Sequence, residues 1–168
     1  KMLFSFSRFD LKEMHLERIG SGGPLILKFD RLDDSWTAAK DGKDETLNIN
    51  PNRANRYLDE LEKMEVSTWL PYTDATAHEA LKNPVFRLKL ILQVYKEAAP
   101  VQTHGGSSDI TFAPEPETEE KVVTLEIAPA GEAGYSRFYY GRVNTSPNYF
   151  ILNMDAVRLL GASLSEDN

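Results

Sequence analysis

The groups able to do chemistry are thinly spread along this chain. Three histidines, His15, His78 and His104, stand far apart in unlike contexts: a strand-like run, a polar turn, and the residue before a glycine pair. A zinc site draws its ligands from short helical or turn spacings, and none occurs, so no metal site is expected. The stretch "HGGSS" (104–108) has the glycine pair of an oxyanion loop, but no G-x-S-x-G turn supplies a nucleophile. The carboxylates Asp30, Asp33, Asp34, Asp41, Asp44 and Glu45 crowd one region without the D-x-D-x-D-G rhythm and distal Glu of a calcium loop. They read as two solvated turns. Neither "GSGG" (20–23) nor "HGGSS" carries the Lys and following helix of a phosphate-cradling loop. Cysteine is absent, which excludes disulfides, thiolate metal sites and a Cys nucleophile. No catalytic residue and no cofactor are expected.

What remains is an aromatic cluster: Phe138, Tyr139, Tyr140, Tyr149 and Phe150, with Arg137 and Arg142 beside it. Stacking platforms for single strands or sugars look similar but carry basic neighbours in number. Aromatic residues are also favoured in half-buried strands. Burial is the plainer reading of the cluster as a whole. The candidate interaction surface is Phe138, Tyr139, Tyr140, Arg142 and Tyr149, together with Ile110 and Phe112 from a long loop.

These residues need elements to position them. "EMHLERI" (13–19) and "PLILKFDR" (24–31) alternate as strands across the "GSGG" turn. "SWTAAK" (35–40) and "ETLNI" (45–49) read as a third and fourth strand around the Asp41-Gly42 turn. Asn50 then offers an N-cap, Pro51 suits the first helical position, and Ala54, Tyr57, Leu58, Leu61 and Met64 share one helical face. A short helical turn near 76–82 precedes "VFRLKLILQVY" (85–95), in which Phe86, Leu88, Leu90, Leu92 and Val94 share a face. "VVTLEIA", "RFYYGRV" and "YFILN" follow as strands. A last helix is capped by Asn153 or Asp155 and apolar at Val157, Leu160 and Leu164. The spacing also sets Lys89 and Glu126 near each other on adjacent strands. Residues 97–120, rich in Pro, Gly, Ser and Glu, read as a surface excursion between two paired strands, dispensable for folding and a candidate partner-binding loop.

The totals agree with one domain over 1–168. This size buries roughly 70% of the unfolded surface. The hydrophobic share is 41%, the charged share 27%, and the net charge −7. Such a balance, with basic residues scattered singly, argues against a nucleic-acid partner. No apolar run approaches the roughly 18 residues of a membrane span. The chain opens at Lys1 rather than at Met, so any anchor is expected to precede it. The fold expected is α+β: antiparallel sheet in two strand-then-helix blocks, about 1–70 and 76–164, each closed by an amphipathic helix.

Four stretches carry a resemblance to a known family: "FSFSRFDLKEMHLER", "SWTAAKDGKDETLNINPNRANRYLDELEKMEV", "NPVFRLKLILQV" and "FYYGRVNTSPNYFILNMDAVRLLGASL". Together they resemble the bacterial DUF4340 family over nearly the whole chain. Where that family places a glycine after its Leu125–Ile127 strand, this chain has Ala128-Pro129, and the segment after Tyr95 looks like an insertion. The resemblance implies an extracytoplasmic, periplasmic-side domain behind an N-terminal membrane anchor, often beside ABC-type or gliding-motility-like export systems. It implies no catalytic residues. The functional expectation is a non-catalytic binding or scaffolding module with a protein partner in the cell envelope. The alternative is a small enzyme or carbohydrate-binding domain acting on envelope saccharides through the aromatic face.

Overall fold

The computed structural model describes residues 2–96, 117–131 and 137–165. Where apolar residues alternate, strands form: β1 (Leu11–Arg18), β2 (Leu25–Asp30), β3 (Ser35–Lys40), β4 (Lys43–Asp44), β5 (Thr68–Leu70), β6 (Phe86–Tyr95), β7 (Thr118–Pro129), β8 (Phe138–Val143) and β9 (Tyr149–Asn153). Three helices interrupt them: α1 (Pro51–Glu62), α2 (Ala75–Ala80) and α3 (Met154–Leu160). All nine strands join one antiparallel sheet in the order β4-β3-β2-β1-β6-β7-β8-β9-β5. The class is α+β, as expected.

Local chemistry accounts for the elements. Asp41 and Gly42 both have positive φ, 51° and 77°, which turns β3 into β4 with the twist a tight hairpin needs. Asn50 Oδ1 accepts from Asn52 N at 3.0 Å and Arg53 N at 3.3 Å, so α1 starts capped with Pro51 behind the cap. At α3 the cap is Asn153, whose Oδ1 accepts from Ala156 N at 3.0 Å. Both helices lie on one face of the sheet. Tyr57 Oη donates to the Leu160 carbonyl at 2.9 Å, and burial pushes the Tyr57 phenol up, so it stays protonated. Ala54, Tyr57, Leu58 and Leu61 of α1 are buried against Met14, Leu27, Leu88, Leu90, Leu125 and Phe150 of the strands. The N-terminal turn is clamped to the same helix, with Arg8 donating to Asp59 from its side chain and to Glu62 from its backbone.

Several boundaries differ from the alternation pattern. "ETLNI" is not a strand: β4 is two residues long, and Thr46–Asn48 form a 3-10 turn. Thr46 is the reason. Its Oγ1 accepts from Ala38 N at 3.0 Å and its N–H donates to Asp44 Oδ1 at 2.9 Å, so side chains take over bonds that a ladder would otherwise make. Thr68–Leu70 form an unexpected strand, pairing with β9 at the far rim. The two-block layout is not seen as two separate bodies, because β1 pairs with β6 and β5 crosses over to β9. The strands flanking the long excursion do pair antiparallel, but β7 begins at Thr118, opposite Tyr95, so Thr118–Glu120 belong to the sheet. Residues 97–116, with Ile110 and Phe112, lie outside the described residues.

Two substitutions probe this packing. Leu61 is fully buried, so Leu61→Ala is expected to cost about 2–4 kcal/mol in urea unfolding; a loss under about 0.5 kcal/mol would make α1 peripheral. Gly141 pairs with Phe150, and a methyl added there would lie 2.2 Å from Phe150 Cε2. Gly141→Ala is therefore expected to cost about 1–3 kcal/mol. Combined with Phe150→Leu, the loss should fall below the sum of the two single losses, because the methyl and the ring compete for one space.

Candidate functional site

Strand alternation divides the expected surface. On β8, Phe138, Tyr140 and Arg142 point one way, and Tyr139, Gly141 and Val143 the other. Tyr139 packs against the core with Val143 and Phe150. It leaves the candidate surface for that reason: its immediate neighbours in sequence face the opposite side. Phe138 and Tyr140 stand edge to face, with ring centroids 5.7 Å apart and planes at 90°. Phe138 is 36% exposed.

Tyr149 of β9 shares their face, since Phe150 beside it enters the core. Its hydroxyl lies 2.8 Å from His78 Nδ1, with the two rings at 6.3 Å. This contact brings α2 onto the same face. Asp74 Oδ1 caps α2 by accepting from Ala77 N at 2.9 Å. Ala77 and Leu81 are fully buried yet outside the main core cluster, consistent with α2 covering the second face of the sheet. The structure thus brings together Phe138, Tyr140, Arg142 and Tyr149, adds His78, and removes Tyr139. Ile110 and Phe112 lie outside the described residues.

Beside the aromatics runs a row of alternating charge across four strands. Glu17 on β1 sits opposite Arg87 on β6, Arg87 opposite Glu126 on β7, and Glu126 opposite Arg142 on β8. Arg87 Nη2 and Nε donate to Glu126 Oε2 at 2.8 and 3.2 Å, and Arg142 Nε donates to Oε1 at 2.9 Å. Arg87 Nη1 lies 3.5 Å from Glu17 Oε1. Partial burial alone would push the Glu126 carboxyl up, but the bonds and charges of Arg87 and Arg142 outweigh it and hold the group below the usual carboxylate range. The expected neighbourhood of Lys89 and Glu126 holds for the adjacent strands and the shared face, with an offset of two residues, since Lys89 faces Thr124. The guanidinium fork of Arg87 is the better partner for a carboxylate. His78 and Glu126 were not singled out as site residues. Alternation on β7 sets Glu126 on the wet face, whereas nothing local indicates where α2 docks.

Among the described residues no group of three or more His, Cys, Asp or Glu could hold a metal ion. Among the described residues no helix is long and apolar enough to cross a membrane. The family described as domain of unknown function (DUF4340) matches residues 1–84, half of the chain. The match covers β1 to β5 with α1 and α2; the resemblance drawn from residues 85–94 and 138–164 lies beyond it. No curated protein and no solved structure matches the chain.

Glu126 is 16% exposed and bonded to two cations, so Glu126→Gln is expected to destabilise the fold by about 1–3 kcal/mol at neutral pH. The sign with pH follows from its lowered pKa. The contribution is complete above the ordinary value of 4.5 and is lost as pH falls through the folded-state value. The urea midpoints of the two proteins should therefore converge in acid. A gap that persists unchanged below that range would assign the loss to shape rather than charge.

Proposed function

The chain belongs to the DUF4340 family, and on that premise we propose that it is a non-catalytic binding and scaffolding module of a membrane-anchored cell-envelope protein. It is displayed on the extracytoplasmic side, where it serves an ABC-type transporter as an auxiliary part and docks a protein partner. The observation that carries this reading is the state of Glu126. Among the described residues it is the carboxylate joined to the aromatic strand, and it is held ionised between Arg87 and Arg142. A saccharide hydrolase needs a paired acid that keeps its proton near neutral pH, and a carboxylate bound by two guanidiniums does the opposite. Such a group suits a fixed, displayed surface. Phe138 and Tyr140 give that surface rigid aromatic area, the side-chain type on which binding energy concentrates.

The same proposal takes the two halves of the chain as copies of one unit. Each is a four-strand meander leading to an Asn-capped helix, and the meanders run outward from the β1/β6 seam as 1-2-3-4 and 6-7-8-9. Their tails are exchanged. After α1, Ser67 N donates to the Ile151 carbonyl at 3.0 Å, and after α3, the Leu164 carbonyl accepts from Asn50 N at 2.9 Å. Two such units joined edge to edge make a broad platform, a shape suited to scaffolding.

The test is a photo-crosslinking residue at Phe138 in the membrane-anchored protein, with the same residue at Lys43 on the opposite rim as control. The expected outcome is one discrete adduct from position 138, identified by mass spectrometry as a transporter component and lost in Tyr140→Ser. No adduct at 138, equal adducts at both positions, or turnover of envelope saccharide by the purified chain would sink the reading.

A further inference from the structure

A hollow of about 290 Å³ opens on the helix-covered face, at the end of the sheet where β2 turns into β3. Three aromatic rings from three segments wall it. Phe29 of β2 and Trp36 of β3 are register partners, with ring centroids 5.0 Å apart and planes at 47°, and Phe9 comes from the turn before β1. Leu58 of α1 adds an aliphatic wall. These walls are fixed without a ligand. Trp36 Nε1 donates to Asn55 Oδ1 at 2.8 Å, and Arg8, next to Phe9, is clamped to Asp59 and Glu62. Phe9 is thereby held at the hollow although it is 73% exposed. A volume just under the roughly 300 Å³ at which small-molecule sites begin admits a single ring.

One edge of the hollow is polar. Arg31 and Asp34, the first and last residues of the turn from β2 to β3, both line it. Neither side chain has a hydrogen bond or ion pair among the described residues. Their neighbour Asp30 is engaged, its Oδ1 accepting from the N–H groups of Leu32 and Asp33 at 2.9 and 3.3 Å. Arg8, the third charged residue of the lining, is paired with Asp59. The hollow thus offers aromatic area, a donor fork, an acceptor, and charges of both signs. Aromatic walls favour a flat apolar face. A donor beside an acceptor matches hydroxyls, which both give and take a bond. With both signs present, an ion of either charge meets its like. A pyranose combines a C–H face with a hydroxyl rim and carries no charge. We propose that the hollow binds one uncharged sugar ring, stacked on Phe9, with its hydroxyls bonded to Arg31 and Asp34. The site lies on the opposite face from Phe138 and Tyr140 and stands independently of the reading given to them.

Methyl glucoside, methyl galactoside and methyl N-acetylglucosaminide, titrated into the ¹⁵N-labelled chain, test this by NMR. The chain has two tryptophans, Trp36 and Trp69, and Trp69 on β5 at the opposite rim serves as the control. At least one glycoside should shift the Trp36 indole N–H saturably and leave that of Trp69 in place. Phenol, which has the ring face without the hydroxyl rim, and glycerol, which has hydroxyls without the face, should each bind at least about tenfold more weakly. Glucuronate and glucosamine, which add one charge of either sign to the same ring, should also bind more weakly. Phe9→Leu keeps apolar bulk at an exposed position without the flat face, and should weaken the glycoside about tenfold, with Phe9→Tyr retaining it. Asp34→Asn, which tolerates the φ of 50° found there, should weaken it about fivefold. No saturable shift at Trp36 with any of the three glycosides, equal shifts at Trp69, phenol, glycerol or a charged sugar binding as well as the glycoside, or an unchanged Phe9→Leu would each overturn the proposal.

Discussion

The pairing of β1 with β6 is the contact on which the remainder of the molecule depends. Leu11–Arg18 and Phe86–Tyr95 are brought together across well over a third of the chain's length, and no turn assists them. Closing so long a loop has an entropic cost that grows only slowly with length, and it is offset by burial on one side of the seam. Met14 lies opposite Leu90 and Leu16 opposite Leu88, with α1 and α3 above them. The other side adds Glu17 against Arg87. Once the seam forms, every other pairing except that of β5 is a hairpin or a local extension. A seam residue therefore reports on both halves at once.

Much of this was legible in the residues. Asn50-Pro51 announces α1 by cap chemistry alone, and its buried face follows from helical spacing. The alternation from Phe86 to Val94 marks β6 and its core face. Tyr139 was legible too: in a strand it cannot share a face with Phe138 and Tyr140. Other features are set by distant partners. Lys89 and Arg87 alternate identically, so period alone cannot choose between them as the mate of Glu126, and a two-residue offset in register decides it. β5 exists because β9 offers an open edge, which "VSTWLP" does not disclose. The residues of "ETLNI" have strand-like spacing, and only the bonds of Thr46 with Ala38 and Asp44 draw them into a 3-10 turn.

The sheet's two faces do different work. Beneath α1 and α3 the contacts are aliphatic and close, so close at Gly141 that Phe150 occupies the place of a side chain. On the opposite face the binding is ionic, and Glu126 is shared by two guanidiniums from neighbouring strands. A slip of one residue would turn the buried face outward, and a slip of two, which keeps the faces, would still pull the carboxylate away from its two guanidiniums. The charge row therefore complements the core by selecting register, and it keeps the aromatic strand β8 aligned with its neighbours.

The rims of the sheet carry a consequence of their own. β4 is two residues long, and β5 is three, followed at once by Pro71. A fibril grows when an incoming chain finds a long run of unpaired amides and carbonyls along a flat edge. Here the outermost strands present only a few such groups, one rim carries Lys43 and Asp44, and the other is closed by a residue with no N–H to give. The broad interior of the sheet is thereby shielded from runaway polymerisation. A chain built mainly from β-structure can persist at high local concentration without becoming a template for amyloid.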